Sequence, residues 1–238
     1  MREETNKELN MIGIIGAMDV EVDGFNKFLE DLKTEKAGPL TFYTGKLFGK
    51  EVVTTVCGIG KVAAAMGAEA MLMKYSPDII INSGVGGGIA KGLKVGDVVI
   101  AEKAIQHDFD LSLLDSPKGF IPGIGGIEMK AEETAMDKMI KAAKEAGFEL
   151  KKGTVVSGDQ FIASSEKKAE LVKDFGGTVC EMEGASIAQV CTMWNKPFAI
   201  LRAVSDGGDD EANMSFTEFC DMAANNAIKV LKEFVKEY

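Results

Sequence analysis

The groups in this chain with the means to do chemistry are carboxyl groups at the ends of apolar runs. Residues 198–208 read Phe-Ala-Ile-Leu-Arg-Ala-Val-Ser-Asp-Gly-Gly, an apolar run after Pro197 that ends in Arg202, Ser205 and Asp206 before glycines release it. Ligands of open α/β sheets gather beyond the carboxyl ends of strands, so Ser205 and Asp206 either face such a crevice or make an ordinary Asp-Gly turn. Glu181 and Glu183 close a second short run, residues 178–183. On a strand they point to one face, where two like charges need something cationic or hydroxylic to meet them. Glu21 follows a third run, residues 12–16, in the first turn of an expected helix. The positive helix end suits either a solvated or a catalytic carboxylate there.

The elements that must position these groups alternate in type. Residues 12–16 read as a buried strand, and a helix is expected from 17 to about 32. Strands at 41–47 and 51–57 form a hairpin about Phe48-Gly49-Lys50. Gly58-Ile59-Gly60-Lys61 invites a phosphate-loop reading, which fails because Val62 stands where a hydroxyl is needed. A helix over 62–75, rich in Ala and Met, is halted by Pro77. The parallel strand at 78–83 runs into Gly84-Val85-Gly86-Gly87-Gly88, a turn where backbone can approach a ligand closely. With Ile89 at the third-glycine position, this turn does not fit a dinucleotide site.

A strand at 94–100 continues the sheet, and Gln106-His107-Asp108-Phe109-Asp110 leads into a long loop to about Gly126. His107 and Asp108 are either a catalytic pair or, with no nucleophile motif nearby, structural. The loop carries Leu111, Leu113, Leu114, Phe120 and Ile121, more apolar than solvent requires, and reads as a lid or a subunit contact. A helix over 131–146 buries Met136, Met139, Ile140 and Ala143. The strand at 153–157 delivers Gly158-Asp159-Gln160-Phe161-Ile162. Ser164 or Ser165 then caps a helix closed by Gly176-Gly177. A helix over 184–194 precedes the strand that opens at Phe198. Asp209-Asp210-Glu211 reads as a solvated loop, and Ser215-Phe216-Thr217-Glu218 as the capping box of a terminal helix with Ala224, Ala227, Ile228, Leu231 and Val235 inward. Strands alternating with helices, plus one hairpin, indicate an α/β fold.

At 238 residues, 46% of them hydrophobic, the chain is expected to be one domain over 11–238, preceded by a flexible, charged extension at 1–10. The formal charge of −10 argues against nucleic acid and acidic membrane surfaces as partners. Cys57, Cys180, Cys191 and Cys220 have no close paired spacing, and a single histidine leaves no zinc signature. Reduced, mostly buried thiols and a cytoplasmic location are expected, since the first apolar run is too short for a signal or membrane segment.

Four stretches together carry a resemblance: Gly-Ile-Ile-Gly-Ala-Met-Asp-Val-Glu at 13–21, Val-Ser-Gly-Asp-Gln-Phe-Ile at 156–162, Glu-Met-Glu-Gly-Ala at 181–185 and Arg-Ala-Val-Ser-Asp at 202–206. In order and spacing the chain resembles the bacterial 5′-methylthioadenosine/S-adenosylhomocysteine nucleosidases from about Ile12 onward. The resemblance implies a nucleoside phosphorylase-like fold, a single-domain three-layer α/β/α sandwich with a mixed central sheet, assembled as a homodimer. It also implies hydrolysis of the N-glycosidic bond between adenine and a 5′-thio-ribose, with no metal or organic cofactor. Related substrates would be 5′-deoxyadenosine and 6-amino-6-deoxyfutalosine. The rival readings are a phosphorylase of the same fold and a nucleoside binder without catalysis.

By the same resemblance, Asp206 would protonate adenine N7 with Ser205 holding its carboxyl group, and Glu21 would activate the attacking water. Glu183 would accept hydrogen bonds from the ribose hydroxyls, with Met18 and Met182 lining the sugar. Phe161 would stack on adenine, the Ile162 backbone would read its edge, Phe216 would cover the 5′-thio pocket, and Arg202 would lie near water and sugar. Asp206 is then expected to hold its proton while Glu21 stays ionised. One departure stands out: Val85 occupies a position where the family usually carries a hydroxyl residue.

Overall fold

Strand β1 (Met11–Gly16) sits inside a mixed sheet because Ile12, Ile14 and Ile15 leave it no polar face. It pairs in parallel with β4 (Lys50–Val56) on one side and β5 (Ile79–Gly88) on the other, in a computed structural model that describes residues 11–238. The extension expected over 1–10 lies outside the described residues. Beyond β4 come β3 (Leu40–Leu47), joined by the expected hairpin, and the edge strand β2 (Glu30–Ala37). On the other flank, β5 pairs with both β10 (Phe198–Asp206) and β9 (Gly177–Glu181). With β6 (Val98–Gln106) and β8 (Leu150–Ser157), these strands make a circuit that returns to β5, and the short β7 (Met129–Lys130) is added to β6. The sheet therefore closes on itself at one end.

Helices cover both faces. On one side α1 (Asp19–Asn26), α3 (Glu133–Glu145) and α6 (Ala212–Glu237) pack together, and on the other α2 (Lys61–Tyr75) packs against α5 (Gly184–Met193). Helix α4 (Ser165–Phe175) lies against β8 and β9, with Ser164 accepting from the Lys167 amide at 3.3 Å and Gly176 in the left-handed region at φ 63°. The fold is the α/β/α sandwich on a mixed sheet that the resemblance implied.

Several boundaries differ from expectation. The first helix stops at Asn26 rather than near Leu32, and residues 30–37, Glu-Asp-Leu-Lys-Thr-Glu-Lys-Ala, form an exposed edge strand whose charges hide its β character. The Gly-rich run at 84–88 is no turn: it continues β5, all ten residues of which are buried. Strand β6 starts at Val98, after a turn at Gly96 with φ 91°. The terminal helix starts at Ala212, so residues 215–218 lie inside it, and Asp210 in the preceding loop accepts hydrogen bonds from Ser165 instead of being merely solvated.

Helix α6 is fixed by a buried stripe that includes Phe234, fully buried with its ring 5.0 Å from that of Tyr238. Phe234→Ala should lower the unfolding free energy by about 3–5 kcal/mol, read from urea denaturation.

Candidate active site

Four segments bring carboxyl groups to one cavity of about 260 Å³. The chain turns from β1 into α1, whose first turn presents Glu21. Backbone holds both of its oxygens: Oε2 accepts from the amides of Ala17 (2.7 Å) and Met18 (3.0 Å), and Oε1 from that of Val85 (2.9 Å). This arrangement needs β5 to be bare. A Cβ at Gly84 would lie 2.5 Å from Glu21 Oε1, and one at Gly87 would lie 2.8 Å from Asp206 Oδ1. Glycine is required here by close approach within a strand, not by a turn.

Neighbouring strand residues normally face opposite ways, yet Ser205 and Asp206 both line the cavity. A register shift against β5 between Val204 and Asp206 allows this. Ser205 Oγ donates to Asp206 Oδ2 at 2.8 Å, and the Gly208 amide donates to Oδ1 at 2.8 Å. Burial raises the Asp206 pKa from its ordinary value, against the pull of those two donors. Glu21 is also raised by burial, opposed by Arg202 and the three amides. The expected contrast of a proton-holding Asp206 and an ionised Glu21 does not come from burial, which raises both. What separates them is their donors. Three amide N–H groups on Glu21, meeting both of its oxygens, favour the ionised form, whereas the Ser205 hydroxyl can turn to accept from a protonated carboxyl, and it already lies 3.4 Å from the carbonyl of Gly86.

Glu181 and Glu183 do not alternate along a strand, because β9 ends at Glu181 and Glu183 is the residue before α5. Glu183 Oε1 accepts from the Gly60 amide at 2.8 Å. Burial, then the nearby Glu181, pushes its pKa up to about 7. Glu181 accepts from Ser157 Oγ, from Arg202, and from the amides of Glu183 (3.1 Å) and Gly184 (2.8 Å). The cation demanded by two adjacent carboxyl groups is thus Arg202. Its guanidinium is 1% exposed and also bonds Asn82 Oδ1 and the carbonyls of Leu201 (3.0 Å) and Asn82 (3.3 Å). Burial works against its charge, but Glu181, Glu21 and Glu183 outweigh it and hold its pKa above the ordinary value. Arg202 lies behind the cavity wall and does not line it.

The rest of the lining is mostly apolar. Met18, Met182, Ile162 and Phe216 face the space, and Phe161 meets Phe216 edge to face with centroids 5.6 Å apart. Sequence reasoning passed over Ile59, Gln160 and Cys180, which also line the cavity. Ile59 could have been found through its flanking glycines: Gly60, at φ 99°, aims its amide at Glu183. Cys180 reads as core; burial pushes its thiol up to about 12, so it stays neutral. His107 and Asp108 are not in the lining, and Asp108 pairs with Lys61 at 2.6 Å. Among the described residues no three His, Cys, Asp or Glu side chains are grouped so as to hold a metal ion. The cavity can offer a proton at one place, accept hydrogen bonds from hydroxyls at another, and polarise a water at a third.

A family model described as the phosphorylase superfamily matches residues 11–236. A 5′-methylthioadenosine/S-adenosylhomocysteine nucleosidase of Haemophilus influenzae (strain PittEE) is 40% identical over 225 residues, covering 94% of this chain and 98% of that protein. An aminodeoxyfutalosine nucleosidase of Helicobacter pylori (strain J99) is 38% identical over 231 residues, covering 96% of this chain and 100% of its own. Among solved structures, the 5′-methylthioadenosine/S-adenosylhomocysteine nucleosidase of Neisseria meningitidis in complex with methylthio-immucillin-A is similar with a TM-score of 0.94 at 38% identity, over 97% of this chain and 100% of that one.

The raised Glu183 has a consequence for stability. A carboxyl lifted from 4.5 to about 7 on folding contributes fully below pH 4.5, and that contribution is lost as pH rises through 7. Wild type should lose, over that window, on the order of a few kcal/mol relative to Glu183→Gln. Urea titrations at the two ends measure this, and a pH-independent difference would contradict it.

Proposed function

This chain belongs to the 5′-methylthioadenosine/S-adenosylhomocysteine nucleosidase family of the phosphorylase superfamily, and we propose that it hydrolyses the N-glycosidic bond of those two nucleosides, releasing adenine and a 5-thio-ribose product. One observation carries hydrolysis over phosphorolysis. Glu21, Glu181, Glu183 and Asp206 line the cavity, and among the described residues no Lys, Arg or His joins them. Phosphate would enter against four carboxyl groups with no cation at the surface to receive it; water meets no such barrier.

Breaking the bond leaves a cation-like sugar and an adenine that must gain a proton. Asp206, desolvated, gives that proton to adenine N7, and the Ser205 hydroxyl adapts to either state of the carboxyl. Glu21 accepts a hydrogen bond from the attacking water on the opposite side of the sugar. Glu183 accepts from the ribose hydroxyls, whose donation favours its ionised form. Met18 and Met182 line the sugar, Phe161 stacks on the base, the Ile162 backbone reads its edge, and Phe216 covers the 5′ substituent. Arg202 acts from behind, through Glu181. Val85 offers Glu21 an amide and no hydroxyl; a lost hydroxyl hydrogen bond is worth about 0.5–1.5 kcal/mol, which leaves turnover within about tenfold.

Relatives named as aminodeoxyfutalosine nucleosidases support a second substrate, 6-amino-6-deoxyfutalosine, in the same cavity, and 5′-deoxyadenosine is a third. In this reading residues 11–238 are one nucleosidase domain working in the cytoplasm, consistent with four unpaired cysteines and with no helix among the described residues long and apolar enough to cross a membrane. The products suit methionine salvage. The protein acts as a homodimer: Val62, Met66 and Met73 make an apolar row on α2 that is 82%, 40% and 71% exposed. Leu113 and Leu114 of the long loop, also exposed, would reach the neighbouring subunit.

Adenine release from each nucleoside, followed by chromatography, should be the same with and without phosphate. Release only with phosphate would make the protein a phosphorylase. Light scattering at micromolar concentration should give a dimer, and the double variant Val62→Glu, Met73→Glu a monomer; a monomeric wild type would overturn the assembly.

A further inference from the structure

Two walls of the cavity come from distant segments that share no strand pairing. The base-facing wall is Gln160, Phe161 and Ile162, on the loop after β8; the sugar-facing carboxyl of Glu183 is held by the amide of Gly60, just before α2. Between them stands Asp159. Its Oδ1 accepts from the Lys61 amide at 2.8 Å, which makes it a helix cap supplied from another part of the chain. Its own amide donates to Asp108 Oδ2 at 2.9 Å, and Asp108 Oδ1 in turn holds Lys61 Nζ at 2.6 Å. Lys61, Asp108 and Asp159 thus close a ring of three bonds joining the ends of β6 and β8 to the start of α2. Lys61 Nζ also reaches Gln106 Oε1 at 3.1 Å, and the Lys61 carbonyl accepts from Ser186 Oγ at 2.7 Å, which fixes the ring to α5. The fit is close: a Cβ at Gly60 would lie 3.0 Å from Asp159 Oδ1, and one at Gly158 would lie 3.0 Å from Asp108 Cγ.

We propose that Asp159 is a positioning residue, locking the base-facing segment 160–162 to the Gly60–Lys61 turn and thereby to Glu183. It touches no reacting atom; its residue is exposed, yet it bonds across 98 positions of sequence. An exposed carboxylate without such a task could be removed with little effect. Losing this one releases both walls together, and because base and ribose are gripped in the ground state as in the transition state, the loss falls on binding.

The kinetic arm of the test rests on the nucleosidase reading; the exchange arm does not. Asp159→Ala should raise hydrogen–deuterium exchange of the peptide covering 158–163 and of the Lys61 amide about fivefold, the factor a lost helix cap is worth. It should raise KM for 5′-methylthioadenosine by about the same factor, with kcat changed less than about twofold. Asp159→Asn, whose side-chain oxygen still accepts from the Lys61 amide, should restore both. Exchange in Asp159→Ala equal to wild type, or Asp159→Asn as impaired as Asp159→Ala, would overturn the proposal. If wild type releases no adenine from any of the three nucleosides, the nucleosidase reading fails, and exchange alone decides the role of Asp159.

Discussion

One buried ion pair, Arg202 with Glu181, is the interaction on which the cavity depends. The floor and walls carry four carboxyl groups drawn from α1, β9, the start of α5 and β10, and among the described residues Arg202 is the one guanidinium set beneath them. Removing one partner of such a pair leaves the other charge desolvated, which typically costs about 3–5 kcal/mol. Here the partner left behind would be Glu181, whose oxygens also bind Ser157 and the amides of Glu183 and Gly184. The pair therefore holds the end of β8, the end of β9 and the start of α5 in one place. With Glu181 neutralised from behind, Glu183 and Glu21 are left to face a ligand.

A second constraint is steric. Carboxyl groups can approach the middle of a sheet only where a strand carries no side chains, and β5 meets that need with Gly84 beside Glu21 and Gly87 beside Asp206. The same bare stretch carries the pairing of β5 with β9 and the later part of its pairing with β10, which closes the sheet and gathers the strand ends. Fold closure and site construction thus follow from one glycine-rich segment. The register shift before Asp206 completes the geometry by presenting two consecutive residues to one side.

Much of this was legible in the residues. Polar groups after apolar runs marked Glu21, Glu183, Ser205 and Asp206 as candidates, with a solvated carboxylate or an ordinary turn left open, and the resemblance chose between those readings. What escaped were features set by partners remote in sequence. The charged strand at 30–37 has no alternation to betray it, and is held by its pairing with β3. Glycines at 84–88 read as a turn because sequence shows their freedom and not the neighbours that require it. Arg202 was expected near water and sugar; it does not line the cavity, and its length lets it reach back to Asn82 and Glu181. Cys180 and Ile59 looked like core and turn, since lining a cavity and filling a core call for the same residue types.

The central proposal is that Asp206, its pKa raised by burial, gives its proton to the leaving base, while Arg202 and backbone amides favour charge elsewhere. The most direct measurement is the titration of the Asp206 carboxyl by carbon-13 NMR, assigned through its absence in Asp206→Asn. The account predicts a midpoint raised above the ordinary aspartate value. A midpoint at or below that value would contradict it, since the proton for the leaving base would then have to come from another group.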